Sequence, residues 1–206
     1  IAVTLNKNDI WKFGTLTASP FDWLEASYFY YRPSDLTWGG KKGNYLDKGF
    51  NVKFIYRPKN NNVPNIAIGL DDFAGTGYFT REYLVATRIQ SNIKYSLGIG
   101  WGKFAGKNSF KNPLAELSSS FLSRPLVSDN LNYGGSLSYD QLFRGNASIF
   151  GGLEWRVANI NGLNFKLEYD PFNYFDFSAS NIGDADYEIR KKESDINFGF
   201  SFPWNN

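Results

Sequence analysis

Apolar or aromatic residues alternate with polar or charged ones along much of this chain. In Gly49–Arg57 one parity carries Phe50, Val52, Phe54 and Tyr56, and the other includes Asn51, Lys53 and Arg57. Gly162–Asp170 repeats the pattern, with Leu163, Phe165, Leu167 and Tyr169 against Asn164, Lys166, Glu168 and Asp170. Because successive side chains of a β-strand point to opposite faces, each segment is predicted to be a strand with one apolar and one charged face.

The same alternation predicts about nine or ten strands in one domain that spans residues 1–206. Ser19-Pro20 is expected to break the first strand from the second. The stretch 103–132 is long, Ser-rich and irregular, with a short helix near Pro113–Phe121. The predicted strands are Ile10–Ala18, Asp22–Tyr31, Gly49–Arg57, Pro64–Asp72, Glu82–Ile89, Lys94–Trp101, Gly134–Phe143, Asn146–Arg156, Gly162–Asp170 and Asp195–Phe202.

The polar parity of these strands carries most of their charge. Burying so many charges in a filled core would be prohibitive unless each were paired, so this face is expected to meet water. If that water fills the lumen of a barrel, its charged side chains are the candidates for ligand binding. They are Glu25, Lys53, Arg57, Asp71, Glu82, Arg88, Lys94, Glu154, Arg156, Lys166, Glu168 and Asp170.

Two all-β architectures satisfy this pattern. An antiparallel transmembrane β-barrel, or a portion of a larger one, shows its apolar face to lipid and keeps charge in the lumen. A soluble β-sandwich covers its apolar face with a second sheet and leaves the charged face in solvent. Alternation leaves both open and favours the barrel.

Composition shifts the balance further toward the barrel. Aromatic residues make up 18% of the chain and glycine occurs 20 times, as expected where rings form girdles at the two membrane interfaces. The mean hydropathy of −0.39 is compatible with a barrel, because only every second strand residue meets lipid. No segment approaches the roughly 20 consecutive apolar residues of a membrane helix. The chain starts at Ile1 and lacks methionine, so we expect a processed or partial product with any signal or lipid anchor upstream.

Charge and residue usage exclude several functions. The net charge is +2, and acids and bases are interleaved along the chain. The sequence therefore indicates no basic surface for binding nucleic acid. The chain has no cysteine and no histidine, so Ser-His-Asp and Cys-His nucleophiles and the usual zinc sites are excluded. No nucleotide-binding fingerprint is present, so no cofactor, no metal and no enzymatic activity are expected.

Three local patterns have both a functional and an ordinary interpretation. Gly75-Thr76-Gly77, with Asp71, Asp72 and Glu82 nearby, could hold a sugar hydroxyl or a cation, but a tight hairpin is the favoured interpretation. The acids in 184–188 lack the glycine and spacing of an EF-hand, which favours a solvated loop. Glu154 and Glu168 could form a glycosidase pair, although an ion-pair ladder with neighbouring cations explains them better.

Several longer strings resemble one family. They are Ser19–Ser27 (SPFDWLEAS), Asp47–Phe54 (DKGFNVKF), Pro64–Ala86, Leu97–Gly102, Phe150–Trp155 and Leu167–Asp170. Together they are similar to the YjbH-type exopolysaccharide and capsule biogenesis outer-membrane proteins. The resemblance implies a β-barrel in the bacterial outer membrane that takes part in polysaccharide export. Its implied partners are membrane lipid, polysaccharide and periplasmic or outer-membrane proteins, and it supplies no catalytic residues.

Three other functions remain open beside export. A secreted carbohydrate-binding β-sandwich would expose aromatic side chains to glycans. A membrane-embedded hydrolase or acyltransferase would depend on a carboxylate pair such as Glu154 and Glu168, and the lack of histidine makes it unattractive. A structural subunit of an envelope assembly would pair its sheet edges with another chain.

Overall fold

The structure is a computed structural model that describes residues 1–7, 11–33, 46–60, 62–75, 77, 79–106, 108–125, 136–137, 139–160, 162–172 and 192–202. Its main element is a 10-stranded sheet, and two further short strands pair with each other. The sheet contains β1 (Ala2–Lys7), β2 (Trp11–Phe21), β3 (Leu24–Pro33), β4 (Asp47–Tyr56), β5 (Asn65–Asp71), β7 (Arg81–Gln90), β8 (Ile93–Gly102), β10 (Ala147–Arg156), β11 (Asn164–Tyr169) and β12 (Ile196–Ser201). The short strands are β6 (Ala74–Gly75) and β9 (Ser136–Leu137).

Each strand of the sheet pairs antiparallel with its nearest neighbours along the chain, so the sheet is a meander in the order β1-β2-β3-β4-β5-β7-β8-β10-β11-β12. In the part of the chain that the structure describes, β1 and β12 are the edges and no ladder joins them. The prediction of an all-β, antiparallel fold is therefore confirmed. No helix in that part is long and apolar enough to cross a membrane.

Most predicted strands lie within a few residues of observed ones, but two local predictions were wrong and one strand was missed. The chain continues through Pro20 to the end of β2, because a register shift between Ala18 and Phe21 accommodates the proline. β1 was missed, although Val3 and Leu5 alternate there with Thr4 and Asn6. Gly134–Phe143 contains β9 and a 3₁₀-helix at Tyr139–Gln141 instead of one strand. Helical structure is present where the short helix was expected near Pro113–Phe121, as two 3₁₀-helices, Pro113–Glu116 and Ser119–Phe121.

Strand register divides the side chains of the sheet between two faces. One row of directly opposed residues runs from β3 to β10 and is wholly apolar: Leu24, Phe54, Ile68, Leu84, Ile99 and Ile149. The face that carries this row is called the apolar face. The adjacent row, on the opposite face, begins with Glu25 and Lys53 and continues with Gly69, Tyr83, Gly100 and Ser148. This second face is called the charged face.

The apolar face is open over much of its area. Leu84 and Ile149 near its middle are 40% and 50% exposed, and Phe198 and Phe200 on β12 are each 69% exposed. Soluble monomers rarely expose contiguous apolar patches of more than a few hundred Å². This face therefore needs a partner that removes it from water.

Glycines on the charged face make room for aromatic rings from neighbouring strands. The ring of Phe150 lies across Gly98, where an added Cβ would also stand 2.8 Å from the carbonyl oxygen of Leu84. Phe104 stacks on Phe150 with ring centroids 4.6 Å apart, and Tyr83 meets both rings edge-on at 6.0 Å. An aromatic cluster thus packs on one end of the charged face.

Candidate functional site

Most of the predicted ligand-binding residues share the charged face. The strands carry Glu25, Lys53, Asp71, Lys94, Glu154, Arg156, Lys166 and Glu168 on it, as their pairing partners show. Arg57 and Asp170 follow directly after the ends of β4 and β11. The guanidinium of Arg57 donates to the carbonyl oxygen of Asp22. Asp170 lies 3.9 Å from the Lys192 ammonium.

Oppositely charged residues on this face stand directly across from each other. Glu25 and Lys53 are register partners, and their Oε1 and Nζ atoms are 2.6 Å apart. Asp71 and Arg81 are also partners, with Oδ2 and Nε 2.5 Å apart. Cross-strand pairs are close enough for this because opposed Cβ atoms in an antiparallel sheet lie about 4.5–5.5 Å apart. We call these two pairs, with the set in the next paragraph, the ion-pair ladder.

The third rung of the ladder crosses three strands. Glu154 is opposed by Lys94 on one side and by Lys166 on the other. The Lys94 Nζ and Glu154 Oε2 atoms are 3.9 Å apart. Glu168, two residues after Lys166, lies on the same face opposite Asn197. The arrangement agrees with the ion-pair interpretation of Glu154.

Arg81 links the ladder to the aromatic cluster. Its guanidinium carbon lies 4.9 Å from the centre of the Phe104 ring and 5.0 Å from that of Phe172. A guanidinium between two ring faces gains cation–π attraction while it keeps its ion pair with Asp71. Sequence reasoning missed Arg81 as a member of this site, although its place opposite Asp71 follows once the β5–β7 register is known.

The prediction that Glu82 and Arg88 share the charged face was wrong. Glu82 is opposed by Trp101, and Arg88 by Tyr95, both on the apolar face. The alternation in β7 is misleading because its apolar residues Tyr83 and Val85 pack on the charged face, where glycines of adjacent strands leave space for them. Local alternation gives the period of a strand but does not say which parity faces which side.

Glu82 instead anchors a buried clasp, defined here as Glu82, Arg124 and the backbone of Phe143. Glu82 is fully buried, and the two terminal nitrogens of Arg124 each donate to one of its carboxylate oxygens at 2.8 Å. The Phe143 N–H adds a third hydrogen bond at 2.9 Å. A bidentate, charge-assisted pair of this kind fixes geometry as well as charge. The clasp ties the segment after β8 to one end of the apolar face.

Asn112 holds the same segment together from its centre. Its Oδ1 accepts from the Trp101 indole N–H and from the Leu114 N–H, both at 3.0 Å. Its Nδ2 donates to the carbonyl oxygens of Phe121 at 3.0 Å and Phe143 at 2.7 Å. All its hydrogen-bonding capacity is used, which explains a buried polar residue at this point. The packed part of the irregular segment therefore covers the Trp101 end of the apolar face.

The acids near Gly75 do not converge on one site. Asp71 pairs with Arg81 and Glu82 with Arg124, on opposite faces of the sheet. Gly75 belongs to β6 and pairs with β9, not with a local hairpin partner. Thr76 and the acids in 184–188 lie outside the described residues.

Asp72, beyond the end of β5, is buried and organises the loop that follows. Its Oδ2 accepts the Phe79 N–H at 2.9 Å, and its own N–H donates to Asn51 Oδ1 at 2.9 Å. Burial, reinforced by the nearby charge of Asp47, raises the pKa of Asp72 well above its ordinary value. The described residues contain no group of three or more potential metal ligands.

These observations define a class of protein: an open, amphipathic antiparallel sheet whose charged face is bridged by ion pairs. The sequence matches, over residues 1–206, the family model described as exopolysaccharide biosynthesis protein YbjH. The chain belongs to this YjbH family, which confirms the resemblance that its local sequence segments show.

One relative is the protein named "Uncharacterized lipoprotein YjbH" from Escherichia coli (strain K12), which is 31% identical over 181 residues. The aligned region is 84% of this chain and 25% of that protein, so the chain spans about a quarter of its relative's length. No solved structure matches the chain.

Proposed function

We propose that this chain forms the wall, or part of the wall, of a porin-like β-barrel in the bacterial outer membrane that takes part in exopolysaccharide or capsule export. The observation that carries this proposal is the exposed apolar face, which extends across all the long strands. In a barrel the uncovered part of that face meets acyl chains, and the charged face lines a water-filled lumen. We assign the chain no reaction of its own.

Energetics favour lipid as the partner of the apolar face. Removing one Leu or Phe side chain from water contributes about 1.5–3 kcal/mol. Leu97 and Phe200, at 64% and 69% exposure, would lose most of that contribution in water. A bilayer recovers it for every exposed row at once, without a second sheet.

The open edges agree with a chain that is part of a larger sheet. β1 and β12 run in opposite directions, because each strand of the ten-stranded meander reverses the last. They can therefore close on each other, or each can pair with further strands of a longer protein such as the E. coli relative. Either closure would satisfy the edge N–H and C=O groups, which a membrane requires. That this relative is named a lipoprotein supports an envelope location.

Membrane fractionation with a heat-modifiability gel tests the proposal directly. A closed barrel is expected in the outer-membrane fraction, with a mobility that changes when the sample is boiled. A soluble protein with unchanged mobility would contradict it, and a secreted carbohydrate-binding sandwich would become the better account.

A matched pair of variants on β12 tests which face meets lipid. Phe198→Arg places a charge on the apolar face, and is expected to weaken assembly by about 2–4 kcal/mol if the site lies at membrane depth. Asn197→Arg places the same charge one residue away on the charged face and is expected to assemble normally. Equal yields of folded protein from both variants would contradict the assignment of faces.

A further inference from the structure

We propose that the ion-pair ladder makes the charged face a binding surface for an uncharged, hydroxyl-rich glycan chain in preference to an acidic or a basic one. This inference rests on the proposed function, because it names the class of polymer that the lumen takes. It starts from the pairing of charges, which neither the family nor the relative specifies.

Register fixes the neutrality of the first two rungs. Glu25 faces Lys53, and Asp71 faces Arg81, in each case one acid against one base on adjacent strands. Their N–O distances of 2.6 and 2.5 Å mean that each charge is compensated within its own pair. A pore that selects ions uses rings of one sign, and these rungs have the opposite design.

The third rung follows the same principle over three strands. Glu154 stands between Lys94 and Lys166, and Glu168 adds a second acid on the same face next to Lys166. Two acids, Glu154 and Glu168, thus accompany three cations on this face over β8, β10 and β11, namely Lys94, Lys166 and Arg156. The surplus over these strands is one positive charge, whereas attraction of a uronic-acid or phosphate polymer depends on a larger excess of positive charge.

The paired groups remain accessible to a ligand. The side chains of Lys53 and Glu25 are 31% and 36% exposed, and those of Lys94 and Glu154 are 51% and 33% exposed. An ammonium has three donors and a carboxylate about four acceptor positions, so one ion pair leaves most of that capacity unused. Sugar hydroxyls both donate and accept, and they can bridge such a pair without a charge of their own.

Binding of three glucose oligomers that are matched in length tests this inference. One is neutral, one sulfated and one aminated, and each is titrated against the full chain in detergent at physiological salt. The neutral oligomer is expected to bind at least about fivefold more tightly than either charged one, a difference of roughly 1 kcal/mol. Preference for a charged oligomer, or no binding of any of them, would overturn the inference.

Single-charge variants sharpen the test. Glu25→Gln leaves Lys53 uncompensated and is expected to raise affinity for the sulfated oligomer, whereas Lys53→Gln is expected to raise affinity for the aminated one. The double variant should restore the neutral preference. Lys111→Gln, which breaks an exposed pair with Glu116 outside the sheet, is the control and should change nothing. If both single variants bind all three oligomers as the unaltered chain does, the ladder does not set the preference.

Efflux of the same oligomers from liposomes separates this inference from the proposed function. If the neutral oligomer binds but does not leave the liposomes, transport through the lumen is contradicted, while the preference for a neutral glycan is supported. If a charged oligomer leaves the liposomes fastest, transport through the lumen is supported, and the proposed preference for a neutral glycan is overturned.

Discussion

Two acid–base pairs with similar geometry occupy opposite faces of this sheet. Glu82 and Arg124 lie 2.8 Å apart on the apolar face, with side-chain exposures of 0% and 18%. Glu25 and Lys53 lie 2.6 Å apart on the charged face, with exposures of 36% and 31%. The first pair joins residues 42 positions apart and fixes a covering segment. The second pair joins neighbouring strands that backbone hydrogen bonds already hold together.

The difference between the two pairs is one of environment. Removing one partner of a buried pair leaves a charge without water, at a cost of about 3–5 kcal/mol. Removing one partner of an exposed pair costs about 0–1 kcal/mol, because water replaces it. The buried clasp should therefore govern stability, and the ladder should govern what the charged face binds.

The largest effect is expected from Arg124→Ala. It leaves the carboxylate of Glu82 buried with only the Phe143 N–H as a partner, so the free energy of unfolding should fall by about 3–5 kcal/mol. Urea titration in detergent micelles, followed by tryptophan fluorescence, measures this. The double variant Glu82→Met with Arg124→Met should regain part of the loss, because no unpaired charge remains. A loss below about 1 kcal/mol for Arg124→Ala would show that the clasp resembles an exposed pair.

Asn112→Ala is expected to have the next largest effect on the same end of the sheet. It removes an amide that joins the Trp101 indole to the backbone of three other residues. Leaving these buried groups unpaired should cost about 2–3 kcal/mol in the same titration. Asn197→Ala, an exposed amide on β12, is the control and should stay within about 0.5 kcal/mol. Equal effects of the two variants would remove the distinction between the buried region and the exposed one.

Asp72 adds to the comparison a buried carboxyl that has no basic partner among the residues that the structure describes. In Asp72→Asn an amide can still accept the Phe79 N–H, and it brings no charge into the site, so we expect a gain of about 1 kcal/mol at neutral pH. Since folding raises the pKa of Asp72, its favourable contribution is complete below the unfolded pKa of about 3.9 and is lost as the pH rises through the folded pKa.

The gain from Asp72→Asn should consequently increase with pH over that window. Urea titrations of both proteins from about pH 4 to pH 8 measure this difference. A gain that is constant with pH would mean that Asp72 does not titrate as its burial implies.

The smallest effects on stability are expected from Glu25→Gln and Lys53→Gln. Each should change the free energy of unfolding by less than about 1 kcal/mol, because the remaining partner keeps its water. Their signature should be a change in glycan preference instead. A large loss of stability in either variant would place the ladder in the same energetic class as the clasp.

The sequence by itself determined most of the strands. Period-two alternation in β4 and β11 is a local property, and it predicts both the elements and their two unlike faces. Charged residues at alternate positions also identified most members of the charged face. Glu25, Lys53 and Glu154 lie where the pattern put them because their strands have one consistently apolar parity.

Only the tertiary structure decided the orientation of β7 and the contacts of the clasp. Local alternation cannot reveal which parity of β7 faces which side, because Tyr83 and Val85 are apolar and yet occupy the charged face above glycines of other strands. Arg124 reaches Glu82 across 42 residues, and no local pattern specifies such a distance. Strand register and long-range packing set these positions, and both depend on how separate segments meet in space.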